Sequence, residues 1–115
     1  MSISFNEYQN ISKETAIYPK DKELALAYVA LGLNGEAGEV AEIIKKLIRD
    51  CENLNEHDML IAKDKICKEV GDVLWYLSAI CCEFDLTFNE VAQTNINKLQ
   101  SRKNRNKLKG SGDDR

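Results

Sequence analysis

The sequence predicts an all-α domain, on three observations. No stretch alternates apolar and polar residues as a half-buried strand would. Apolar residues recur at helical spacing along most of the chain. Its one proline, Pro19, falls between two such stretches. At 115 residues the chain makes one domain with a core of its own. Residues 1–105 are expected to form it, and residues 106–115 a flexible tail. The run Lys107 to Arg115 ends Gly-Ser-Gly-Asp-Asp-Arg and has no apolar rhythm.

The elements follow in order. Ser4-x-x-Glu7 is a capping box and opens a first helix that should run to about Ile17. Pro19 and Lys20 fall in the connection, and Asp21 can cap a long second helix, roughly Lys22 to Arg49. Asp50 to Asn55 is a polar link. A third helix of similar length is expected from about Glu56 to Phe84, with Asn55 as its cap. Thr87-x-x-Glu90 is a second capping box, and Leu86 with Val91 supplies a hydrophobic staple. The fourth helix then runs from Phe88 to about Lys103. Two long helices joined by a short link should pack antiparallel, with the shorter two against them, as in a four-helix bundle.

Bulk properties exclude several classes. The net charge of −3 and a pI near 5.2 argue against general nucleic-acid binding. There are four cysteines, no C-x-x-C and one histidine, His57, so a zinc ribbon or finger does not fit. The cysteines read as reduced thiols. Neither a signal-peptide pattern at Met1 nor a bilayer-spanning apolar run is present, so no membrane association and a cytoplasmic location are expected.

Two acidic pairs carry the chemistry: Glu36-Ala-Gly-Glu39 and Glu69-Val-Gly-Asp72. The i, i+3 spacing puts each pair on one side of a helix. A helical count from Glu36 reaches Val29, Val40, Ile43 and Leu47. The same count from Glu69 reaches Ala62, Val73, Tyr76 and Ile80. Glu36 and Glu69 therefore interrupt stripes that should face a core, where unpaired carboxylates are costly. Divalent cations relieve that cost. Four carboxylates without histidine suit Mg²⁺, or Mn²⁺, better than zinc or copper. A di-iron bundle would want Glu-x-x-His pairs, which the chain lacks. Glu42 extends the first series as an outer ligand or an exposed acid.

Gly32, Gly35, Gly38 and Gly71 lie inside expected helices, each at a cost of about 1 kcal/mol against alanine. They mark tight helix packing, room for a metal and phosphates, or both. On the fourth helix Asn95, Lys98 and Arg102 share a face with Val91, beside a buried seam of Phe88, Ala92, Ile96 and Leu99. Lys98 and Arg102 either point to phosphates or form a solvated basic face. Lys45 and Lys46 divide the same way between phosphate contacts and surface lysines. Trp75, Tyr76, Tyr28, Tyr8 and Phe5 could stack on a base, but aromatics at helical spacing more often serve a core, so no base contact is assigned. His57 reads as exposed and structural.

The run Leu31-Gly-Leu-Asn-Gly-Glu-Ala-Gly-Glu-Val-Ala-Glu, then Glu69-Val-Gly-Asp-Val-Leu-Trp-Tyr-Leu, then Asn95-Ile-Asn-Lys-Leu-x-x-Arg102 resembles the MazG-like nucleotide pyrophosphohydrolases of the all-α NTP pyrophosphatase superfamily. The likeness spans roughly residues 20 to 105, and the E-x-x-E and E-x-x-D motifs are complete. It implies a four-helix-bundle-like fold whose two long helices carry the metal-binding carboxylates. It implies Mg²⁺ held by Glu36, Glu39, Glu69 and Asp72, with Glu36 or Glu39 as the general base. It implies triphosphate contacts from Lys98 and Arg102, assisted by Asn95. The reaction implied is hydrolysis of an NTP or dNTP between the α- and β-phosphates, giving monophosphate and pyrophosphate. A homodimer or homotetramer is also implied, with sites completed across a subunit interface. The chain has one such domain where the two-domain bacterial form has two, and its link between the acidic pairs is long for the compact members. Alternative substrates in the superfamily are phosphoribosyl-ATP and the dUTP or dCTP of selective enzymes. A non-enzymatic alternative is a helical oligomerisation or regulatory module with structural acids. It would be favoured by basic partners near Glu36 and Glu69, where only Lys65 stands out.

Overall fold

The computed structural model describes residues 2–51 and 54–115. Four α-helices occur among them: α1 (Phe5–Ser12), α2 (Lys22–Asp50), α3 (Glu56–Glu83) and α4 (Phe88–Asn104). No strand is present among the described residues. The expected polar link between the long helices includes residues 52 and 53, which lie outside the described residues.

Helix starts follow local chemistry. In α1 the Glu7 amide donates to Ser4 Oγ at 3.1 Å, and the Ser4 amide donates back to Glu7 Oε2 at 2.6 Å. Asp21 caps α2 through the Leu24 amide at 3.3 Å, and Asn55 caps α3 through the Asp58 amide at 2.8 Å. Thr87 and Glu90 close the second capping box, at 3.1 and 2.8 Å.

The end of α1 differs from the expectation of a helix reaching Ile17. It stops at Ser12, and Lys13–Thr15 forms a 3-10 turn. The Ser12 hydroxyl donates to Gln9 O and the Thr15 hydroxyl to Ser12 O, bonds that compete with helix continuation. Trp75 Nε1 also donates to Thr15 Oγ1 at 2.8 Å, which fixes the turn against α3. Ile17 is left 94% exposed, and Tyr18 enters the core in its place.

α2 and α3 run antiparallel. Lys22 Nζ donates to the Glu83 carbonyl, Gly32 lies against Tyr76, Glu36 meets Asp72, and Leu47 and Ala62 line one cavity. At 1.5 Å per residue each helix is about 42–44 Å long, so the hairpin spans the molecule. Its core is Tyr18, Ala25, Val29 and Ala79, with Ala16, Trp75, Tyr76 and Ile80 packed around them. α1 holds the far end of α3. The buried Gln9 donates to Leu86 O at 2.9 Å and accepts from the Phe88 amide at 2.8 Å, pinning the turn into α4. Ser12 and Ser78 hydroxyls bond at 2.9 Å, and Phe5 and Tyr8 pack on Phe88.

The fourth helix packs against α1, where the sequence places it against the long pair. Its expected seam is buried only at the start. Phe88 is buried and Ala92 half-buried, but Ile96 is 52% and Leu99 40% exposed. Phe5 of α1 lines one cavity with Ala92 and Ile96, so α1 covers that face of α4 only in part. The radius of gyration is 17.4 Å, against about 13 Å for a compact domain of this length. The last residues run in turns and bends back to α4, where Arg102 Nη2 donates to Gly112 O and Asp113 O.

One core group makes the fold sensitive to alkali. The Tyr18 hydroxyl donates to Glu83 Oε2 at 3.3 Å, and burial, then the Glu83 charge, pushes the phenol up to about 12 from an ordinary 10.0. The folded state holds that proton more tightly than the unfolded chain. The stabilisation is therefore complete below the ordinary phenol range and is lost as pH rises towards 12. Tyr18→Phe should flatten the fall in thermal midpoint across that window. An unaltered slope would mean that another group drives it.

Candidate metal centre

The apolar stripes orient the acids. Val29 and Ala62 are buried, and Val40, Ile43, Leu47, Val73, Tyr76 and Ile80 are half-buried, so both faces counted from Glu36 and Glu69 turn towards the helix interface. Glu36 from α2 and Glu69 and Asp72 from α3 each offer an oxygen, and these oxygens lie within 4.8 Å of one another. Glu36 and Glu69 are half-buried and Asp72 is exposed. Glu39 is exposed and stands outside this group, although its charge is felt at Glu36.

One turn before Glu36, Gly32 lets the helices close. A Cβ there would lie 2.0 Å from Tyr76 Cε1 and 2.3 Å from Cζ. Tyr76 stands one turn beyond Asp72, so this contact sets the helix separation beside the carboxylates. A Cβ at Gly35, Gly38 or Gly71 would meet nothing within 4 Å, so packing explains Gly32 and leaves the other three open.

Burial, then the charges of Asp72, Glu69 and Glu39, raises the Glu36 carboxyl above the usual carboxylate range. Among the described residues no lysine or arginine is ion-paired with Glu36, Glu39, Glu69 or Asp72. Lys65, the basic neighbour expected on the Glu69 face, is exposed and forms no such pair. An all-oxygen set of converging anions without a countercharge fits a hard divalent cation. Glu42 is instead taken up by Lys45 at 2.9 Å and Lys46 at 3.6 Å, which leaves all three in surface ion pairs.

Two tyrosines feel the charge of these acids, where the sequence suggested only undirected aromatics. Burial, then the Asp72 charge, raises the Tyr8 phenol. Burial, the neighbouring Tyr28 hydroxyl, and the Glu36 and Asp72 charges raise that of Tyr76.

The α4 residues lie elsewhere within this chain. Asn95 is exposed, Lys98 half-buried and Arg102 buried. Arg102 Nη2 donates to Asp113 O at 2.7 Å and to Gly112 O and Asp113 Oδ1 at 3.3 Å, and Lys98 Nζ reaches Asp113 Oδ1 at 3.3 Å. Lys98 and Arg102 hold the Asp113 carboxyl below its usual range. No sequence pattern pointed to Asp113, because its partners depend on the path of an irregular segment. The four cysteines are free, and among the described residues no helix is long and apolar enough to cross a membrane.

A family model described as the MazG nucleotide pyrophosphohydrolase domain matches residues 25–106, a span that includes every acid of the centre and the cations of α4. The chain is also 42% identical over 112 residues to "Gene 37 protein" of Mycobacterium phage L5, covering 94% of this chain and 96% of that protein. No solved structure matches the chain.

Proposed function

Because the chain belongs to the MazG nucleotide pyrophosphohydrolase domain family, we propose that it hydrolyses a nucleoside or deoxynucleoside triphosphate, with Mg²⁺, to the monophosphate and pyrophosphate. One observation carries this reading: the oxygens of Glu36, Glu69 and Asp72 converge within 4.8 Å, and among the described residues no basic side chain is paired with them.

Those three carboxylates would hold the cation, with Mn²⁺ as an alternative to Mg²⁺. When bound, the ion supplies positive charge to the phosphate oxygens and to the pyrophosphate that leaves. Glu39 is exposed, one turn from Glu36 and outside the converging group, which supports it as the base. It accepts a proton from a water that attacks the α-phosphorus in line. A phosphorus–oxygen bond forms there as the bond to the bridging oxygen breaks. Lys98 and Arg102, with Asn95, bind the triphosphate and the charge that builds on the leaving group.

The same reading includes a homodimer or homotetramer, with α4 of one copy completing the site of another. Support comes from the apolar surface left open on the hairpin. Leu31, Ile48 and Leu60 are 66–73% exposed, and a cavity of about 620 Å³ runs along Leu47, Met59, Leu60, Ile66 and Val70. Sedimentation should give a multiple of 13.0 kDa, and a lone 13.0 kDa species would remove this part of the reading. A cytoplasmic location, with the nucleotide pool, belongs to the same reading and is supported by the four free cysteines. Recovery in the membrane pellet on cell fractionation would contradict it.

The decisive experiment incubates the protein with each common NTP and dNTP and with phosphoribosyl-ATP, with and without Mg²⁺, and resolves the products. Monophosphate and pyrophosphate are expected, and only with the metal. Diphosphate and phosphate would refute the assigned bond. No turnover and no Mg²⁺-dependent thermal shift would favour a regulatory helical module.

A further inference from the structure

We propose that the C-terminal segment is a substrate-mimicking latch: Gly112 and Asp113 occupy the Lys98–Arg102 cation pair and must leave before the phosphates of a nucleotide can bind it. This rests on the reading that these two cations hold the triphosphate.

The geometry resembles a phosphate site filled by a carboxylate. Three oxygens, Gly112 O, Asp113 O and Asp113 Oδ1, surround one guanidinium nitrogen, and Oδ1 is shared with the Lys98 ammonium. The mimic is incomplete. Arg102 is only 5% exposed, yet among the described residues its Nε has no hydrogen-bond partner. A buried guanidinium with an unsatisfied donor favours an anion that offers more oxygens than the segment supplies.

The latch is also built to open. The Asp113 side chain is 84% exposed, so its pairing is screened and weak, whereas Arg102 beneath it is shielded. The path over Arg102 needs positive φ at Gly110 (110°) and Gly112 (85°), which glycine adopts without strain. Arg115 fastens the turn through Gly112 O at 2.6 Å and Lys107 O at 3.1 Å. The segment thus has one defined closed form and little buried surface to lose on opening.

The test uses the full-length protein, Asp113→Asn and Gly112→Val. The first removes the charge that mimics phosphate. The second puts a β-branched residue at a positive φ and strains the closed form, with nothing nearby to clash. Calorimetry with inorganic tripolyphosphate should show both variants binding several-fold tighter than the parent. Their KM for nucleotide should fall by a similar factor while kcat is unchanged. Equal affinities in all three proteins, or no tripolyphosphate binding in any, would overturn the latch. If equal affinities accompany normal pyrophosphate release, the latch fails and the activity stands. Tighter tripolyphosphate binding by the variants without pyrophosphate release from any of the proteins would support the latch and remove the activity.

Discussion

Glu36→Gln should make the metal-free protein more heat-stable and at the same time abolish pyrophosphate release. Two further carboxylates have oxygens within 4.8 Å of this one, it is half-buried, and no basic residue among those described is paired with it. Gln keeps its volume and removes the charge that burial and repulsion penalise. The thermal midpoint without metal should therefore rise. The same change removes a ligand oxygen's charge, so the Mg²⁺-induced rise in midpoint should disappear. Turnover should fall by at least about 10²-fold, since a bound cation contributes several kcal/mol of transition-state stabilisation. Glu39→Gln separates the roles. It lies outside the converging group, so the Mg²⁺-dependent shift should persist while turnover falls by about 10²–10⁴-fold, the usual worth of a general base. Thermal scans with and without Mg²⁺, beside a pyrophosphate assay, read both variants. A Glu36→Gln protein that is less stable without metal, or that keeps parental activity, would sink the assignment of this cluster.

Gly32→Ala should destabilise the protein although alanine is the better helix former. In an open helix the exchange gains about 1 kcal/mol. Here the new Cβ would lie 2.0–2.6 Å from three ring atoms of Tyr76. That ring is flat and stiff, and Tyr28 and Trp75 pack around it at 6.3 and 5.0 Å between centroids. The helices must separate or the ring must leave, at an overpacking cost of about 1–3 kcal/mol. Because Tyr76 is one turn from Asp72, and Gly32 one turn from Glu36, the separation should also weaken Mg²⁺ binding. Gly35→Ala is the control, since its Cβ meets open space, and it should lose no stability within the chain. Denaturant melts of both variants, and of Gly32→Ala in a Tyr76→Ala background, check the claim. The cost should largely vanish when the ring is gone. A cost that survives loss of the ring would show that contact with Tyr76 is not its source.

The helix starts were legible in the sequence because the capping bonds join residues three apart: Ser4 with Glu7, Asp21 with Leu24, Asn55 with Asp58, and Thr87 with Glu90. The inward turn of Glu36 and Glu69 was legible for a related reason. A helical count is a local rule, and apolar neighbours one turn away must share the face of each acid. The end of α1 was legible only in part: the Ser12 and Thr15 hydroxyls bond locally, but the turn they make is held by Trp75, sixty residues away. Nor was the exposure of Ile96 and Leu99, since periodicity says which residues share a face and not whether anything covers it.

The sequence by itself thus determined an all-helical chain, its helix starts and the pair of acidic faces. Tertiary structure decided which carboxylates meet, drawing Glu36, Glu69 and Asp72 together and leaving Glu39 beside them. It also decided that Arg102 bonds to Gly112 and Asp113 within the chain. The division follows from range. Bonds within one helical turn are set by residue order alone. Contacts between helices depend on how far each is rotated and how closely they approach, and here one missing side chain at Gly32 sets that distance.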